Sequence, residues 1–206
     1  MHATPIVRVS VLTLALAMTV GTGTVAARPD TGGRDIQDFA TADFYQTVAE
    51  CLDASAAVRF FAGDNLQTPI GSGQPSSWSD TDIHLNLIDT CVEPERVVLS
   101  LECFAAVEDP DMDRFEQASL HVDVPCDLGV SAAINLEWTG NDDATVRIDH
   151  SLSDGYFRQE RFETASVSGT LVFDPIPGWT EDELAFTGAD VTGAAIGTAN
   201  EISLPR

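Results

Sequence analysis

Asp109-Pro110-Asp111-Met112-Asp113 has the alternate-acid spacing with which calcium loops present their first three oxygen ligands, and Glu116 follows closely. The helix-loop-helix form of that site needs a glycine next and an acid at the twelfth position, where this chain has Arg114 and Leu120. What remains is an open carboxylate site built from Asp109, Asp111, Asp113 and Glu116, against the plain reading of a solvated acidic loop. Asn141, Asp142 and Asp143 suit a turn, because their side chains tolerate positive φ. Histidines are few. His84 and His121 fall on the polar phase of their strands, and His150 falls on the apolar phase between Ile148 and Leu152. No nucleophile elbow, zinc-helix motif or phosphate-binding glycine loop accompanies them, so no catalytic residue and no cofactor is assigned. Trp78 and Trp179 stand in Pro/Gly-rich segments, where an indole can stack on a sugar or anchor a partner.

The elements that position these residues are strands. The clearest is Val130–Ser153, where Val130, Ala132, Ile134, Leu136 and Trp138 recur at every second residue. After Gly140-Asn141-Asp142-Asp143 the alternation resumes with Val146, Ile148 and Leu152, which predicts two half-buried antiparallel strands joined by a tight turn. Trp138 lies on the core phase. Further strands are expected over Ala42–Glu50, Ala54–Ala62, Asp82–Asp89, Val97–Val107, Leu120–Val124, Arg161–Phe173 and Leu184–Thr192. A long loop is expected over Gly63–Asp80. About eight to ten strands with turn signals between them, and no helix-length periodicity, predict an all-β antiparallel β-sandwich.

The first 27 residues have the plan of a secretory signal: Arg8, an apolar run from Val9 to Val20, and small residues at Val25-Ala26-Ala27. That run is shorter than the ~20 residues that span a bilayer. Residues 28–38 are polar and Gly-rich and read as a flexible leader, leaving 39–206 as one domain. The chain carries 33 acids against 10 bases, every base an arginine. Such a field excludes nucleic acid as a partner, because no basic patch is there to displace its counterions.

Four cysteines in an exported chain predict two disulfides. If the strands meander, Cys51 and Cys91 lie at turns on one end of the domain. Cys103 and Cys126 share the apolar phases of Leu99 and Val122, which points both inward. Cys103 sits so far down its strand from Cys91, more than ~20 Å at ~3.3 Å per residue, that this pair cannot bridge. The expected pairs are Cys51–Cys91 and Cys103–Cys126, while a Greek-key crossover would instead bring Cys51 near Cys126.

The segment Ile-Asn-Leu-Glu-Trp-Thr-Gly at 134–140, the Ser-Leu-His-Val-Asp-Val strand before it and the later Ala-Ser-Val-Ser-Gly-Thr at 165–170 resemble a family of uncharacterised secreted bacterial β-sandwich proteins. In that family a V-N-L-T-W-T-G-like segment lies between an alternating strand and an A-x-x-x-G-T segment. The resemblance spans Val97 to Val172 and departs at Glu137, on the solvent-facing phase. It implies the fold and export and transfers no site.

The function expected is therefore that of a secreted, non-catalytic module that binds through its surface or associates with the envelope. The alternative is a secreted hydrolase whose site is assembled from residues outside any motif. A monomer is expected, with a protein or a glycan as partner and no membrane span.

Overall fold

Period-two alternation does produce strands nearly everywhere it occurs. The computed structural model describes residues 33–67, 76–113, 116–151, 156–176 and 183–203. Among them are eleven strands and no α-helix: β1 (Gly33–Ala49), β2 (Leu52–Gln67), β3 (Ser76–Asp89), β4 (Arg96–Ala106), β5 (Asp111–Asp113), β6 (Gln117–Pro125), β7 (Ser131–Gly140), β8 (Thr145–Ser151), β9 (Tyr156–Phe173), β10 (Leu184–Thr187) and β11 (Val191–Ser203). No helix among the described residues is long and apolar enough to cross a membrane. The signal segment and Trp179 lie outside the described residues.

Every pairing is antiparallel, and the all-β class holds. The expected division into two separate sheets is not established, because the ladders are continuous. Among the described residues hydrogen bonding runs along one path, β4-β3-β2-β1-β11-β9-β7-β6-β5, with β8 and β10 off it and paired to β9. The reason is the length of β9. Residues Tyr156–Thr164 pair with β11, and Ala165–Phe173 pair with β7. β8 flanks the first half and β10 the second, so β7 and β8 lie in line along one side of β9. One end of the path, β4, is joined to the chain just after β6, where Cys103 forms an isolated antiparallel bridge with Cys126.

The two halves share one core. Ala40, Ala42, Phe44, Val58, Phe60, Ile83, Leu85 and Leu101 enter it from one side, and Leu120, Ile134, Leu136, Trp138, Leu171 and Phe173 from the other. Trp138, 1% exposed, donates from Nε1 to the Thr41 carbonyl of β1 at 3.0 Å. The Phe44 and Phe186 rings meet at 5.7 Å. Both expected disulfides are present, with Cα–Cα distances of 4.9 Å for Cys51–Cys91 and 3.9 Å for Cys103–Cys126.

Four expectations need correction. Residues Gly33–Asp38, read from composition as part of a leader, form the start of β1 and pair on both sides. The loop expected over Gly63–Asp80 is strand at both ends, and Trp78 belongs to β3 opposite Gly63. β7 and β8 are not a hairpin, since neither pairs with the other. Asn141 and Asp143 turn a corner instead of reversing the chain: Thr164 donates to Asp143 from its backbone N–H and its Oγ1, both at 2.8 Å, and Ser166 donates to Asn141 Oδ1 at 2.9 Å. Finally, Val146 and Ile148 keep the apolar phase yet are 53% and 57% exposed, because β8 continues past the core.

Candidate functional site

A strand in a sheet has two faces, and core packing claims only one. In β1 the core takes Ala40, Ala42 and Phe44, so Phe39, Thr41 and Asp43 point to the opposite, outer face. In β2 the core takes Val58 and Phe60, which turns Arg59 and Phe61 outward. The register then aligns rings that the sequence keeps far apart. Phe61 is opposite Phe39, Phe39 is opposite Gly197 of β11, and Gly197 is opposite Phe162 of β9. None of these phenylalanines belongs to the core cluster or packs against it, and all three are half-buried. The row spans about 14 Å from β2 to β9 at the usual strand spacing.

Two glycines allow close approach on this face. A Cβ on Gly197 would stand 2.5 Å from the Arg161 carbonyl oxygen and 2.8 Å from the Phe162 Cα and Cβ, so the bare position lets the β9 backbone come near, and a Cβ on Gly63 would stand 2.9 Å from the Trp78 ring. The Trp78 indole therefore lies across Gly63, beside the row, as an aromatic cross-strand partner covering a bare glycine. A cleft of ≈ 170 Å³ also touches Trp78, but Ile36, Asp38, Asp64 and Ser77 that line it lie on the core-facing phase of their strands, away from the row.

Carboxylates edge the same outer face. Burial raises the pKa values of Asp35, Asp43, Asp80 and Asp82. The Asp82 charge pushes Asp80 up further, whereas His84 and Arg59 pull Asp82 back down. Arg158 of β9 pairs with Glu160 and reaches Glu201 at 3.9 Å.

His84 sits in a hollow of ≈ 390 Å³ with Asp82, Glu102, Phe104, Pro125 and Asp127. Its Nε2 is 3.3 Å from Asp82 Oδ2 and its Nδ1 is 3.8 Å from Glu102 Oε1. Both ring nitrogens thus face carboxylates. Among the described residues no hydroxyl hydrogen-bonds His84, and all four cysteines are in disulfides. The group has an acid–base pair but no nucleophile for it to activate.

The remaining sequence candidates are dispersed. Asp111 and Asp113 lie on β5, where Ser119 donates to Asp111 at 2.8 Å; Asp109 and Glu116 flank that strand, exposed. Among the described residues no group of three or more His, Cys, Asp or Glu side chains could hold a metal ion. His121 is exposed on β6, and the His150 side chain lies outside the described residues. The row Phe39, Phe61 and Phe162 escaped the sequence reading. Its signal was there: each is an aromatic on the phase that its strand's core residues leave to solvent.

No protein-family model matches the chain, and neither a curated protein nor a solved structure matches it.

Proposed function

We propose that the protein is exported and acts as a non-catalytic module that binds a polysaccharide on the outer face of the β9-β11-β1-β2-β3 region. The observation that carries this reading is the aligned row of Phe61, Phe39 and Phe162 with Trp78 beside it. Flat aromatic faces take the C–H faces of sugar rings, and carboxylates at the edge accept hydrogen bonds from hydroxyls. The charge balance of 33 acids to 10 bases sets this face against anionic ligands and favours a neutral or amino sugar. Export is supported by the signal-like first 27 residues and by the two disulfides. The resemblance to secreted β-sandwich proteins agrees with that placement.

The hydrolase alternative draws on the hollow around His84. It lacks an activated nucleophile among the described residues, and a water-activating base would need an imidazole nitrogen free of its carboxylates.

Depletion of the purified chain by insoluble cellulose, chitin and peptidoglycan tests the proposal. Binding to at least one of them should be lost in Phe61→Ala and weakened about tenfold or more in Trp78→Ala, given ~1–3 kcal/mol for an aromatic anchor. Retention by none, or retention unaffected by both substitutions, overturns it.

A further inference from the structure

Among the described residues four strands pair on one side, and three of those edges are bridged or short. β4 carries the Cys103–Cys126 bridge across its free side. β5 has three residues and β10 has four, with the Ala185 carbonyl of β10 already taken by Gln46 Nε2 at 3.0 Å. β8 is different. Its seven residues pair with β9 without a register shift, and its other side has no partner among the described residues. It contains no proline, lysine or bulge, devices that ordinarily stop an edge from pairing with another chain, and its charged residues are one of each sign, Arg147 and Asp149. Residues 145–149 are exposed, including the β-branched Val146 and Ile148.

The order of residues along β8 selects what would pair there. Arg147 and Asp149 flank Ile148 symmetrically. Across the β8–β9 ladder Arg147 stands opposite Glu160 and Asp149 opposite Arg158, but their side chains form no ion pair with these partners among the described residues and both are exposed. Consider a second β8 laid antiparallel about a two-fold axis. Apolar must meet apolar on one face, so the axis must pass through a residue and not between two, because a one-residue slip exchanges the faces. An axis at Arg147 puts Arg147 opposite its own copy, and an axis at Asp149 puts two aspartates together. Both are repulsive. An axis at Ile148 sets Ile148 against Ile148 and Arg147 against Asp149 twice. Of these three central registers only that one is complementary at every charged position.

We infer that two copies of this chain associate through β8, antiparallel and centred on Ile148, extending the sheet across a two-fold axis. Such an isologous contact closes on itself and stops at two chains. It replaces the monomer expected from the sequence. It is independent of the polysaccharide reading, because β8 carries none of the aromatic row.

The test is sedimentation equilibrium of the full chain purified from an exporting host. A concentration-dependent monomer–dimer equilibrium is expected. Arg147→Asp turns two attractive pairs into two repulsive ones and should raise the dimer Kd about tenfold or more. Adding Asp149→Arg restores opposite charges at both pairs and should return Kd to within about threefold of the parent. Circular dichroism of each variant checks that the strand content is unchanged. A parent that stays monomeric at about 100 µM, where any Kd below that value would show, overturns the inference. So does a dimer indifferent to Arg147→Asp, or a double variant that stays as weak as the single one.

Discussion

Replacing Gly169 by alanine should be the most damaging single-methyl addition in β9. Gly169 has φ +104°, a backbone conformation costing an L side chain about 1–3 kcal/mol. The added Cβ would also stand 1.9 Å from the Asn135 carbonyl oxygen and 3.2 Å from the Leu136 Cα. Those are backbone atoms of β7, held in register against β9 on one side and β6 on the other. They cannot yield without breaking ladder pairs around Leu136, which is fully buried. Strain and overpacking, at ~1–3 kcal/mol each, together give about 2–6 kcal/mol. That is a large share of the ~5–15 kcal/mol that holds a domain folded. Gly63→Ala is the control. Its Cβ would also meet atoms at 2.9 Å, but they belong to the Trp78 ring, which can swing. Its cost should stay near ~1 kcal/mol. Urea unfolding followed by tryptophan fluorescence measures both, with the slope m expected to stay constant. If Gly169→Ala unfolds within ~1 kcal/mol of Gly63→Ala, the argument that backbone contacts decide the cost is refuted.

Trp138→Ala should cost about 3–5 kcal/mol in the same assay, and equal losses for Trp138→Ala and Trp78→Ala would contradict the placement of only the former in the core. Replacing both cysteines of Cys51–Cys91 by serine should cost about 4 kcal/mol and the Cys103–Cys126 pair about 3 kcal/mol, from loop lengths of 40 and 23 residues; thermal melts that rank them in the opposite order by several degrees would speak against loop closure as the cause. Asp35, Asp43, Asp80 and Asp82 have folded pKa values above the usual 3.8, so the folded state holds more protons than the unfolded one between the two values. Stability should rise as pH falls from neutral toward 3.8, then decline below it as Asp143, held low by Thr164, is protonated. Asp82→Asn should raise the melting temperature at pH 7 and flatten that rise, and a parent whose melting temperature falls steadily over this range would refute the sign.

What the sequence made readable is whatever depends on near neighbours in the chain. Ile83, Leu85 and Leu87 alternate and are buried as read, and Cys103 is buried in the core with Cys126 partly buried against it, as their phases require. The two family-like segments are also explained physically, because Leu136 of Ile-Asn-Leu-Glu-Trp-Thr-Gly is paired with Gly169 of Ala-Ser-Val-Ser-Gly-Thr. What stayed hidden depends on pairings between distant strands. Asn141-Asp142-Asp143 suits a corner as well as a hairpin, and only the long β9 decides between them. Val146 and Ile148 carry a core pattern that ends in solvent because the opposing half of the sheet stops short. Phe39, Phe61 and Phe162 form a row only through β1–β11–β9 contacts, which no local spacing encodes.

The pairing of β1 with β11 has a consequence for how the chain reaches this state. β1 is joined by a turn to β2, but its other neighbour is the last strand, with Gly33 opposite Ser203. Both disulfides close within the first 126 residues and none ties β11 to the rest. As the chain is made from its N-terminus, the seventeen-residue β1 therefore waits with one edge open until β11 follows. Closing so distant a contact is entropically slow. Folding speed should thus be governed by the capture of β11, and the interval before it is when the chain is most open to aggregation or to a chaperone that lends a strand.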